Sequence, residues 1–135
     1  MNGTFDFLIE KAVSARNFSY SPYSGYKVGS ALLCSDGTVY TGCNVENASY
    51  SATVCAERVA VFKALSEGKR DFSAIAIVGG KGAIPDFAPP CGVCLQVLSE
   101  FCSPDLQILL LSNEEIKSYT LKDFLPNAFC ASDIK

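Results

Sequence analysis

The sequence predicts an α/β sandwich. Three observations carry that prediction. Helical stripes alternate with strand-like runs along the chain, several of those runs are apolar at nearly every position, and 49% of the residues are hydrophobic, enough for a real core. A chain of 135 residues fits a single domain, 1–135. A domain of that size buries roughly 70% of the surface its unfolded form exposes.

Residues 4–17 place Phe5, Leu8, Ile9, Ala12 and Val13 on one helical stripe, with Glu10, Lys11 and Arg16 elsewhere. Ser19–Gly25 breaks that helix with loop chemistry. Residues 27–34 read as a strand, Asp36-Gly37 as a hairpin turn, and 38–43 as the returning strand. A polar loop spans 44–51. Residues 53–66 form a helix, with Gly68 as its stop. Residues 72–79 are a buried strand, and a Gly- and Pro-rich loop then runs to Pro90. Gly79, Gly80 and Gly82 lack the Gly-Lys-Ser/Thr ending of a phosphate loop and read as turn residues. A helix over 92–102, a buried strand over 106–112 and a short helix over 119–125 complete the chain. Later strands that follow helices imply crossover connections.

Charge narrows the function. The formal net charge is −3, and of the 11 basic residues only Lys69 and Arg70 are adjacent. Binding a nucleic-acid polymer needs clustered positive charge, so a small uncharged ligand suits this surface better. No apolar run approaches the roughly 20 residues that cross a membrane. The stretch Met1–Phe7 lacks the basic start of a signal peptide. A soluble, cytoplasmic protein is expected.

Seven cysteines stand at positions 34, 43, 55, 91, 94, 102 and 130, and there is no histidine. An odd count fits poorly with a fully paired disulfide framework. Without histidine, serine–histidine and cysteine–histidine schemes are excluded, and a general base must be a carboxylate, Lys, Tyr or Cys. Cys34, Cys43, Cys102 and Cys130 read as small buried hydrophobes.

Two motifs carry chemistry together: Cys55-Ala56-Glu57 and Pro90-Cys91-Gly92-Val93-Cys94, each at the opening of a helix. Cys55 is expected in the first turn of its helix. Cys91 and Cys94 share one helix face. Helix N-termini favour thiolate, the form that ligates metal. Three thiolates make an open zinc site, in which the fourth position is left to water. Glu57 then lies near that water without being a ligand. Two other readings remain open here: a thioredoxin-like Cys-Gly-Val-Cys redox pair, and a structural zinc module with Cys43 or Cys102 as fourth ligand.

The arrangement matches the zinc deaminase pattern, in which His-x-Glu or its thiolate equivalent precedes Pro-Cys-x-x-Cys. Over nearly its whole length the chain resembles the small homotetrameric cytidine deaminases. The resemblance rests on Pro22-Tyr-Ser, Val28-Gly29, Gly42-Cys-Asn-Val-Glu-Asn47, Cys55-Ala-Glu-Arg58, Pro90-Cys-Gly-Val-Cys94, Gln96-Val97 and Leu125-Pro-Asn-Ala-Phe129. It implies a three-layer α-β-α sandwich with a mixed five-stranded sheet and helices on both faces. It implies one zinc per subunit, Glu57 as the catalytic proton carrier, and deamination of cytidine and deoxycytidine in pyrimidine salvage. By resemblance, Asn44 and Glu46 hold the ribose, the backbone at Ala56 holds the pyrimidine, and Tyr26 packs on the base. Tyr50 and Phe129 reach toward a neighbouring subunit's site in a homotetramer, and Arg58 hydrogen-bonds the ligand sulfurs. One position departs from the pattern. Leu95 stands where such proteins usually carry a second arginine, so Arg58 and the two helix N-termini must offset the thiolate charge. The nearest competing substrates are other aminated pyrimidines, such as a nucleoside antibiotic.

Overall fold

The computed structural model describes residues 4–135; Met1, Asn2 and Gly3, part of the N-terminal stretch assessed for signal character, lie outside the described residues. Helix α1 (Asp6–Arg16) leads into strands β1 (Lys27–Cys34) and β2 (Val39–Cys43). Helix α2 (Ala56–Ser66), strand β3 (Phe72–Gly80) and helix α3 (Gly92–Phe101) follow. Strands β4 (Gln107–Ser112) and β5 (Glu115–Thr120) and the one-turn helix α4 (Leu121–Phe124) come last. The strands form one sheet in the order β2-β1-β3-β4-β5. Only β3 and β4 run parallel, joined through α3; the other neighbours are antiparallel.

Alternation along the strands divides the core in two. On one face Leu8, Ile9 and Ala12 of α1 pack on Ala31, Ala74, Ala76, Val78, Leu109 and Leu111. On the other, Ala60, Val61 and Ala64 of α2 and Leu95 and Leu98 of α3 cover Leu32, Ile75, Ile77, Ile108 and Leu110. The expected three-layer sandwich with a mixed five-stranded sheet is therefore what the chain adopts. β3 is buried on both faces, which is why its sequence is apolar almost throughout. Helices on both faces approach the sheet closely, and glycines make this fit. A Cβ at Gly29 would lie 2.0 Å from the Ala12 carbonyl oxygen, and one at Gly42 only 2.4 Å from that of Ala56. Gly42 thereby fixes the height of the α2 N-terminus over the sheet.

Beyond shifts of one or two residues at the ends of α1, β2, β3, α3, β4 and α4, two differences from expectation stand out. Thr53, Val54 and Cys55 are extended rather than helical, because Val54 bridges back to Val45 and β-branched residues suit that conformation. Tyr119 and Thr120 belong to β5, a strand that periodicity alone does not reveal. It is a half-exposed edge strand with polar side chains, entered by a two-residue turn in which Asn113 takes φ 60°.

Candidate active site

The site lies where three backbone segments meet beside the β2 end of the sheet. Val45 exchanges hydrogen bonds with Val54, at 2.9 and 3.0 Å. The Tyr20 N–H donates to the Asn44 carbonyl at 3.0 Å, and the Glu46 N–H to that of Tyr20 at 2.8 Å. In this small extended patch Asn44 and Glu46, two apart, face the same side. The same patch delivers Cys55 to the start of α2.

Cys55 is the N-cap of α2, with ψ 155°, one position before the helix rather than in its first turn as expected. Cys91 is likewise the N-cap of α3, and Cys94 sits in its first turn. The three sulfurs lie within 4.8 Å of one another, and those of Cys55 and Cys91 are 3.7 Å apart. Tetrahedral zinc with Zn–S bonds of about 2.3 Å sets sulfurs about 3.7 Å apart, so this spacing and this soft donor set fit zinc. Among the described residues no fourth Cys, Asp or Glu joins the cluster, which leaves Cys43 and Cys102 outside it. A four-cysteine structural module is thus not formed, and the Cys-Gly-Val-Cys pair is not a free-standing dithiol.

The cluster favours negative charge. A hydrogen bond from Cys94 brings the Cys55 thiol down to about 5 against the effect of burial, with Arg58 and Cys91 assisting. Donating that bond pushes the Cys94 thiol up. Arg58 places Nη2 3.5 Å from the Cys55 sulfur, while its buried Nε has no hydrogen-bond partner. Leu95 is buried in the α2–α3 core instead of carrying a second cation. Glu57, in the first turn of α2, is 4% exposed. Burial raises its carboxyl to about 7, its own backbone N–H opposes the rise, and charge at Cys55 adds to it. A carboxyl poised there exchanges protons readily near neutral pH.

A cleft of about 240 Å³ opens on the cluster, and Tyr26, Asn44, Glu46, Cys55, Glu57 and Cys91 all line it. The Asn44 amide is largely committed. Its oxygen accepts from the Val28 N–H at 2.9 Å and from the Ser19 hydroxyl, and its nitrogen donates to the Tyr26 carbonyl at 2.7 Å. One amide N–H remains for a ligand. Glu46 accepts from the Tyr23 and Ser24 N–H groups at 2.9 and 3.1 Å and from the Ser24 hydroxyl. Those bonds, the hydroxyl foremost, hold its carboxyl below the usual range. Ala56 is fully buried at the helix start, under β2. Tyr50 and Phe129 lie outside this chain's cleft, 78% and 59% exposed. Ser24, Ala88 and Pro89 line the cleft without having been singled out in the sequence. The Pro89-Pro90 pair before Cys91 is the signal that could have found the last two.

Converging thiols beside a proton-carrying carboxylate belong to metal-assisted hydrolysis, and the class of protein is therefore a zinc hydrolase of the deaminase type. The model of the cytidine and deoxycytidylate deaminase zinc-binding region matches residues 4–110. The chain is 48% identical to a cytidine deaminase of Halalkalibacterium halodurans, spanning 94% of this chain and 95% of that one. It is 45% identical to a cytidine deaminase of Sporosarcina psychrophila, spanning 94% and 92%. A crystal structure of cytidine deaminase from Burkholderia pseudomallei superposes with a TM-score of 0.85 at 44% identity, covering 94% of this chain and 100% of that one. The chain belongs to the cytidine and deoxycytidylate deaminase family.

Proposed function

We propose that this protein hydrolyses cytidine and 2′-deoxycytidine to uridine and 2′-deoxyuridine, releasing ammonia, in cytoplasmic pyrimidine salvage. The observation that carries this reading is a single cleft holding a thiol cluster, a buried carboxyl and two polar groups suited to a sugar. Cys55, Cys91 and Cys94 would hold the zinc. A zinc ion bound there would supply Lewis-acid activation of water as the nucleophile. Glu57 takes one proton from the attacking water and delivers it to pyrimidine N3 as C4 is attacked, then takes the remaining proton from the new C4 hydroxyl and passes it to the departing amine. One carboxyl that serves each transfer removes the need for histidine, and general acid–base catalysis contributes about 10²–10⁴-fold.

Glu46 is a pure acceptor at neutral pH and suits a ribose hydroxyl, to which the remaining Asn44 N–H also reaches. No Lys or Arg lines the cleft among the described residues, and Glu46 repels a phosphate. Nucleosides are therefore preferred to nucleotides. Tyr26 provides an aromatic wall for the base. The exposure of Tyr50 and Phe129 outside their own cleft supports their use at a neighbouring subunit's site in a homotetramer. Among the described residues, no helix is long and apolar enough to cross a membrane.

The test is conversion of cytidine to uridine by purified protein, followed with and without a strong zinc chelator. Turnover that the chelator abolishes and added zinc restores is expected. Zinc-loaded, folded protein that leaves cytidine intact but deaminates another aminated pyrimidine would refute the substrate assignment.

A further inference from the structure

We propose that Arg16, remote from the chemistry, is a positioning residue for nucleoside binding that acts through the loop leading to Ala88 and Pro89 in the cleft lining; this rests on the cytidine reading above. Arg16 is the last residue of α1, and its side chain leaves the helix toward backbone alone. Nε donates to the Lys27 carbonyl at 2.9 Å, and Nη2 donates to the carbonyls of Gly80 and Gly82, both at 2.6 Å. No carboxylate pairs with it among the described ion pairs. One guanidinium thus gathers the start of β1, the end of β3 and the first turn of the following loop.

Both ends of that clamp bear on the cleft. Lys27 stands between Tyr26 and Val28, which line one side of it. The loop leaving Gly82 is pinned further by the Asp86 N–H on the Gly79 carbonyl at 2.8 Å and by the Asn113 N–H on the Pro85 carbonyl at 3.0 Å. Phe87 then packs edge-on to Tyr119, with ring centroids 6.1 Å apart. The next residues, Ala88 and Pro89, also line the cleft, Ala88 adjoining Val28 and Tyr26 over Gly79, and Cys91 follows at the head of α3. The Arg16 fork therefore holds these two lining segments in place relative to each other without touching the ligand. A planar guanidinium reaches three diverging carbonyls, whereas an ammonium on a flexible stem does not hold the same geometry. Because the walls contact substrate before and during reaction alike, loosening them weakens uniform binding and appears in KM.

The experiment compares the parent protein with Arg16→Met and Arg16→Lys by steady-state cytidine kinetics, zinc content and amide hydrogen exchange. Arg16→Met is expected to raise KM by about 2- to 30-fold while kcat stays within about twofold. Zinc content should be unchanged, and amides of 81–90 should exchange faster. Arg16→Lys should lie between. KM and loop protection that match the parent in both variants would overturn the proposal. So would kcat, zinc and protection throughout the fold falling together in both, since that is a purely structural role. Should Arg16→Met not fold, Arg16→Lys decides by the same criteria. If the parent does not turn over cytidine, the functional reading fails, and the clamp is judged by exchange alone: faster exchange confined to 81–90 sustains it and unchanged exchange overturns it.

Discussion

Arg58 is the cation that hydrogen-bonds the thiol cluster, through Nη2 to Cys55. Three thiolates around Zn²⁺ leave a net negative charge, and a guanidinium at the sulfur offsets part of it. Partners of this kind alter metal affinity or activity by about 10–100-fold. Arg58→Ala should therefore lose zinc to a competing chelator about 10–100 times more readily, with Arg58→Lys recovering part of the loss. Equal zinc retention in all three proteins would show that the charge is offset elsewhere. Leu95 cannot share the task, because its side chain is an uncharged hydrocarbon buried in the core on that face of the sheet. The place of Cys55 and Glu57 together in the cleft was legible in the sequence because chemistry restricts those residue types. Asn44 was legible only in part. Its place at the cleft follows from the motif, but three of its hydrogen bonds go to Ser19, Tyr26 and Val28, which are distant in sequence.

At the scale of elements, the site depends on where two helices begin. Cys55 and Cys91 are N-caps, so a shift of either helix start moves a sulfur. Gly42 sets one start by letting the Ala56 carbonyl close onto β2. Gly42→Ala should destabilise the fold by about 1–3 kcal/mol through overpacking and should weaken zinc binding as well. Denaturant unfolding and zinc titration measure the two effects; a variant of parental stability and zinc affinity would show that α2 is placed by other contacts. Most elements were readable from periodicity because they are buried on a consistent face. β5 was not, since Glu115, Lys117 and Ser118 face solvent at a sheet edge and leave no apolar alternation to read. The start of α2 was misread because Thr53 and Val54 continue an apolar pattern while a backbone bridge to Val45 keeps them extended.

At the scale of the molecule, each cleft is expected to be completed by another copy of the chain. Tyr50 and Phe129 are large, exposed and outside their own cleft. Light scattering at assay concentrations should give a mass of four subunits, and a fully active monomer would contradict that arrangement. The sequence carried the sandwich and the metal motif, but the subunit arrangement came only from resemblance, because an interface leaves no periodic signature in one chain. The central claim is that zinc in the thiol cluster and Glu57 act together on a nucleoside. It is tested most directly by measuring zinc content and cytidine turnover side by side in the parent protein and in Glu57→Gln. The account predicts equal zinc in both and turnover reduced by about 10²–10⁴-fold or more in the variant. Near-parental turnover in zinc-loaded Glu57→Gln would contradict it.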